Sequence, residues 1–216
     1  MAFVLIPGNP APEGAEELHF QARDGTALRA MIAPARGPSR GTVIICQGWK
    51  EFIEKYFEVA RELQARGFTV FAMDWRGQGL SGRQTNNPQK SYYRTLDDPA
   101  KDLGYALQEY GDRLPSPRIL LAHSMGGGIS LRALQRKYVT VDGALFNAPM
   151  WGIRMAPQMR PVAWTLSTLA RRIGQFDATA LAIVNRHSPP KVSSRNEIAA
   201  AARAPTISLS QPIWRP

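Results

Sequence analysis

Apolar positions along the chain fall into short strand-like runs separated by helical spacings. Leu18-His19-Phe20-Gln21-Ala22 alternates, Asp24-Gly25 marks a turn, and Ala27 to Ala33 alternates loosely. That pattern predicts an opening β-hairpin, with His19 and Gln21 on the solvent side opposite Leu18 and Phe20. Thr42 to Cys46 and Phe68 to Met73 are unbroken apolar runs of strand length. Between them, Glu54 to Arg66 sets Tyr56, Phe57, Val59, Ala60 and Leu63 at helical spacing, and Gly67 stops the helix. Asp97 to Tyr110 repeats the helical pattern and ends in the breaker Leu114-Pro115-Ser116-Pro117. Arg118 to Ala122 then reads as a third buried strand, Met125 to Lys137 as a helix, and Gly143 to Phe146 as a fourth strand. Buried strands alternating with helices predict an α/β fold, a mostly parallel sheet with helices on both faces. There is no internal repeat.

Composition narrows this only in part. The chain has 216 residues, 44% of them hydrophobic, which suits one large domain, or one domain with a small appendage, and a real core. Cys46 is the single cysteine and sits inside an apolar run, so it reads as buried filler, and nothing points to an oxidising compartment. The start, MAFVLIPGNP, lacks the basic and long apolar regions of a signal peptide, and no run approaches membrane-spanning length. A cytoplasmic protein, or one peripheral to the inner face of the membrane, is the expectation. The net charge is +10, and from Trp151 onward nine Arg/Lys face two acids. Such a basic end suits an anionic membrane surface or a solvated face. Without zinc spacing or a ribonucleoprotein signature, no nucleic-acid partner is expected.

The sharpest chemical signal is Leu120-Leu121-Ala122-His123-Ser124-Met125-Gly126-Gly127-Gly128. A serine at the joint between a buried strand and a helix adopts a strained backbone. That is tolerated only where the residues two before and two after carry almost no side chain. Ala122 and Gly126 satisfy this, although glycine is usual at both places. The following helix aims its free N–H groups at the serine and favours developing negative charge. Asp74-Trp75-Arg76-Gly77-Gln78-Gly79-Leu80-Ser81 follows one buried strand, and Gln47-Gly48-Trp49 follows another. The run Gly77-x-Gly79-x-x-Gly82 also matches a dinucleotide fingerprint, but Arg83 to Pro88 reads as loop, so no helix N-terminus would meet a pyrophosphate.

In these motifs, in their order, and in Asn147-Ala148-Pro149-Met150, the chain resembles the α/β-hydrolases of the monoacylglycerol lipase and bacterial lysophospholipase branch. The likeness runs from about residue 25 to about residue 154. It implies an α/β-hydrolase fold over residues 1–150, incomplete at the C-terminal end, and a partial helical lid with an irregular basic tail over 151–216. It further implies a serine ester hydrolase, acting on lysophospholipids or monoacylglycerols through an acyl-enzyme on Ser124, with no cofactor and no metal. The N–H groups of Trp49 and Met125 would form the oxyanion hole. Gln47 stands where the family often has histidine and can still donate a hydrogen bond. His123 reads as structural, and Asp74 and Arg76 as residues that fix their own turn.

A serine hydrolase also needs a base and an orienting acid, which in this fold follow the serine in the order acid, then histidine. The acids after Ser124 are Asp142, Asp177 and Glu197, and the histidine is His187. Asp142 precedes the fourth strand, at the wrong end of the sheet. Asp177 and His187 have the right order but stand ten residues apart, in a stretch unlike the family's closing segments. The family places these groups beyond two further strands, and the sequence stops ahead of them. The competing expectation is therefore a catalytically impaired, C-terminally truncated hydrolase that binds anionic lipid or a partner. Val162, Leu166, Leu169, Ala170 and Ile173 fall on one helical face, with Arg160, Arg171 and Arg172 outside it. That stripe suits core packing, an acyl pocket or a lipid surface. A peptidase or thioesterase on the same scaffold is a third, weaker reading.

Overall fold

The computed structural model describes residues 3–85, 91–151 and seven positions between 158 and 169 (158, 159, 161, 162, 165, 168 and 169). Six strands form one sheet: β1 (Glu16–Gln21), β2 (Ala27–Ala33), β3 (Thr42–Cys46), β4 (Thr69–Met73), β5 (Arg118–His123) and β6 (Gly143–Asn147). Their order across the sheet is β1-β2-β4-β3-β5-β6. The opening hairpin pairs antiparallel, β2 joins β4 antiparallel, and β4, β3, β5 and β6 run parallel to one another. Three helices, α1 (Phe57–Ala65), α2 (Asp97–Glu109) and α3 (Met125–Gln135), and two short 3-10 turns accompany the sheet, and six of the described positions after 158 are also helical.

Strand alternation sorts the core into two layers. Ile44, Cys46, Phe71 and Met73 face one way and pack with Leu103 and Ala106 of α2 and Ile129 and Ala133 of α3. Val43, Ile45, Val70 and Ala72 face the other way, onto Phe57, Ala60 and Leu63 of α1. Buried on both sides, β3 and β4 must be apolar throughout, which is why they read as continuous runs. Cys46 belongs to the first layer, and burial pushes its thiol up to about 12. It is inert filler, as expected.

Two features depart from the sequence pattern. The stretch expected to be helical from Glu54 opens as a 3-10 turn, Ile53–Tyr56, before α1 begins. Its first N–H, that of Ile53, is drawn 2.9 Å from Asp74 Oδ1 rather than capped locally. The second departure is Arg29, which is fully buried within β2. Its guanidinium meets both oxygens of Glu54 at 2.7 and 2.9 Å and Asp74 Oδ2 at 2.8 Å, with Glu17 at 3.7 Å. Arg76 is tied bidentately to Asp102 of α2 and also reaches Asp24 in the hairpin turn. It therefore does more than fix its own turn: it fastens the loop after β4 to two other elements. Hydrogen bonding to Arg76 holds the Asp24 carboxyl down at about 2.

Removing one member of a buried ion pair leaves its partners charged and unpaired, at a cost of about 3–5 kcal/mol. Arg29→Ala should lower unfolding stability by that order in urea titration. A loss within 0.5 kcal/mol would mean that the cluster contributes little.

Candidate active site

The site lies where β5 passes into α3. Ser124 occupies the joint with φ 50 and ψ −119, a conformation rarely taken by residues other than glycine. Its backbone is pinned from both directions. The Ser124 N–H donates to the Asn147 carbonyl at 3.1 Å, while its own carbonyl accepts the N–H groups of Gly127 at 3.0 Å and Met150 at 2.8 Å. Thus the end of β6 and the segment after it hold the strained residue in place.

Small residues make this geometry possible. A Cβ on Gly126 would lie 2.1 Å from the Cys46 carbonyl oxygen, and one on Gly128 would lie 2.7 Å from that of Met150. Each helical glycine costs about 1 kcal/mol relative to alanine, so the cluster makes sense only as a close backbone approach. Ala122 is fully buried and replaces the usual glycine without disturbing the elbow.

Across from the elbow is the loop after β3. A Cβ on Gly48 would meet the Ser124 Cβ at 3.3 Å, so this loop lies against the serine. The Gly48 N–H donates to Glu51 Oε2 at 2.6 Å, and the Lys50 N–H is taken by Gln78 Oε1. Between them, the Trp49 N–H has no acceptor among the described residues, and neither has the N–H of Met125, the first residue of α3. Lys50 carries a positive φ of 56, so the loop is strained as well. Gln47 donates to Asp74 Oδ1 and to the Glu51 carbonyl, both at 3.3 Å, which fits the donor role expected of it.

Asp74 is buried and holds its turn through the Leu80 N–H at 2.8 Å. Burial raises its carboxyl, against the pull of Arg29 and of the Leu80 and Ile53 N–H groups. Asp142 accepts the Arg118 N–H at 2.7 Å, at the start of β5 and so at the end of the sheet away from Ser124. His19 sits on β1, four strands from β5 and so on the order of 19 Å across the sheet, bonded to Glu17. His123 has its Nδ1 buried without a partner among the described residues. Asp177, Glu197 and His187 lie outside the described residues, as do Arg160, Arg171 and Arg172. Of the apolar stripe, Val162 and Leu169 are described and both are exposed. Among the described residues no cluster of His, Cys, Asp or Glu is arranged for a metal, and no helix is long and apolar enough to cross a membrane.

Sequence reading missed Glu51 and Gln78, the side chains that tie the loop beside the serine. The spacing Glu51-x-x-x-Lys55 was the available signal, since an acid four residues before a cation can form a local ion pair.

Sheet order, elbow and loop together define an α/β-hydrolase. The carboxyl esterase of Bacillus coagulans superposes with a TM-score of 0.61 at 21% identity, over 92% of this chain and 68% of that one. A model of the family described as serine aminopeptidase, S33, matches residues 37–211, and the chain belongs to that family. It is 36% identical over 155 residues to lysophospholipase L2 of Escherichia coli, covering 70% of this chain and 45% of that protein. It is also 36% identical over 91 residues to a monoacylglycerol lipase of Mycolicibacterium smegmatis, covering 42% of this chain and 31% of the lipase. The chain thus spans less than half the length of these curated relatives.

Two variants test the elbow. Gly126→Ala should destabilise the protein by at least about 1–3 kcal/mol, because the new Cβ collides with backbone rather than with a yielding side chain. Ser124→Gly should be more stable than Ser124→Ala by about 1 kcal/mol in thermal unfolding, since glycine accepts the positive φ that alanine resists.

Proposed function

We propose that the protein is a serine hydrolase of acyl esters, cleaving lysophospholipids or monoacylglycerols through an acyl-enzyme on Ser124. The observation that carries this reading is the strained serine against the Gly48 backbone, together with two backbone N–H groups, of Trp49 and Met125, that have no acceptor among the described residues. Orphan donors at a loop and a helix N-terminus are suited to an oxyanion. Names of relatives favour the ester over the amide: lysophospholipase L2 and monoacylglycerol lipase both act on lipid esters. The family description, serine aminopeptidase, keeps peptide-bond cleavage as the reaction to compare against.

In this mechanism the Ser124 hydroxyl oxygen attacks the ester carbonyl carbon and its proton passes to a base. The carbonyl π pair moves onto oxygen, where the Trp49 and Met125 N–H groups receive the charge. Collapse expels the alcohol, which takes up a proton, and water then cleaves the acyl-serine. Asp177 and His187 follow Ser124 in the order this chemistry uses, but in a stretch unlike the family's closing segments, so neither is assigned as the base or its orienting acid. The basic residues after Trp151 suit an anionic lipid surface, from which such a substrate would be drawn.

Fluorophosphonate labelling tests the nucleophile. The unmodified chain should label, Ser124→Ala should not, and a chromogenic short-chain ester should turn over faster than the matching anilide. Undiminished labelling of Ser124→Ala removes the assignment. No labelling of the unmodified chain overturns the reading in favour of an impaired hydrolase that binds lipid.

A further inference from the structure

We infer that Glu51 is a positioning residue for the oxyanion site: its carboxylate clamps the Gln47–Gly48 peptide, next to the one that carries the Trp49 N–H, so that the Trp49 N–H faces Ser124. The inference rests on the Ser124 reading and goes one step beyond it.

Glu51 is nearly buried and its carboxylate is fully engaged. Oε2 accepts the Gly48 N–H at 2.6 Å and the Tyr56 hydroxyl at 2.6 Å, and Oε1 accepts the Lys55 ammonium. The same oxygen that holds Gly48 would lie 2.8 Å from a Cβ there, and the Ser124 Cβ would lie 3.3 Å from it. Carboxylate and nucleophile therefore flank one point above Gly48. Fixing the Gly48 N–H fixes the plane of the Gln47–Gly48 peptide, and Gln78 fixes that of the Trp49–Lys50 peptide through the Lys50 N–H. The Trp49 N–H is left between two tethered neighbours.

A carboxylate this close to a developing oxyanion would oppose it unless neutralised. Lys55 supplies the opposing charge from four residues further on. Burial alone would raise the Glu51 carboxyl; Lys55, Tyr56 and the Gly48 N–H outweigh it and hold the group below its ordinary range. With its oxygens occupied, Glu51 is a poor proton acceptor. It acts through the backbone and does not serve as the base.

The test compares two ligands of equal chain length on the full chain. An alkyl trifluoromethyl ketone adds the Ser124 oxygen to its carbonyl carbon. The π pair moves to the ketone oxygen and the hydroxyl proton is released to a base or to water. The plain methyl ketone stays planar. Glu51→Ala should weaken the trifluoromethyl ketone about a hundredfold, the order that loss of one oxyanion donor costs. Its affinity for the methyl ketone should change less than threefold. Glu51→Gln, which keeps an acceptor for the Gly48 N–H and folds with the least disturbance, should recover all but a few-fold of the loss. Equal weakening of both ketones in Glu51→Ala, or no recovery in Glu51→Gln, overturns the positioning role while the Ser124 reading stands. Absence of an adduct with the unmodified chain, followed by fluorine resonance, overturns the Ser124 reading and this inference with it.

Discussion

The contact between the first turn of α3 and the ends of β3 and β6 is the constraint on which the rest of the site depends. Ser124 can hold φ 50 only because Asn147, Gly127 and Met150 together satisfy its backbone, and they reach it only because Gly126 and Gly128 carry no side chain. A run of glycines opening a helix is locally unfavourable. Here it lets the helix lie within backbone contact of Cys46 and Met150, which gives the helix N-terminus its place beside the serine. Strain at one residue is thus held by hydrogen bonds from two others far along the chain.

The opposite wall of the site is held by charge rather than by packing. Arg29, Glu54 and Asp74 form a buried cluster, and each carboxylate has a second task. Asp74 receives the N–H groups of Ile53 and Leu80, and Glu54 receives that of Val4. The loop after β3, the turn after β4 and the N-terminal segment therefore share a single polar core. Networks of this kind are costly if half satisfied, so they specify one arrangement of the loops they join. Glu51 and Gln78 extend the same logic to the peptide beside Ser124.

Much of the fold was legible because the central strands are buried on both faces. Thr42 to Cys46 emerged as β3 with the same limits, and the apolar run from Phe68 as β4 one residue shorter at its start. Ser124 was legible because steric demand leaves a local trace in Ala122 and Gly126. Arg29 was not. Within the loose alternation of β2 it reads as an outward polar position, and its partners lie 25 and 45 residues away. Glu54 looks like the solvated side of an amphipathic helix and Glu51 like part of the loop before it, although both are buried. Nothing in the sequence near an ion says whether a counter-ion will fold against it. The 3-10 start before α1 is not legible for the same reason, since its first N–H is claimed by Asp74, 21 residues on, in the loop after β4.

Under the hydrolase reading, the two sets of groups around Ser124 divide the work. Charge is met by main-chain N–H groups, which any residue except proline supplies, so the identities of Trp49 and Met125 are free to serve another purpose. The two side chains have opposite settings. Met125 is buried, its sulfur accepting the Tyr93 hydroxyl at 2.9 Å, and it packs into the core behind the elbow. Trp49 keeps 38% of its surface exposed and follows Gly48, whose backbone lies against Ser124. A large indole there would offer an apolar wall to whichever part of the substrate lies on the loop side of the reacting carbonyl. The chemistry would then be written in the backbone and the choice of substrate in the side chains, which is why the reaction class is easier to read from this sequence than the acyl chain or head group.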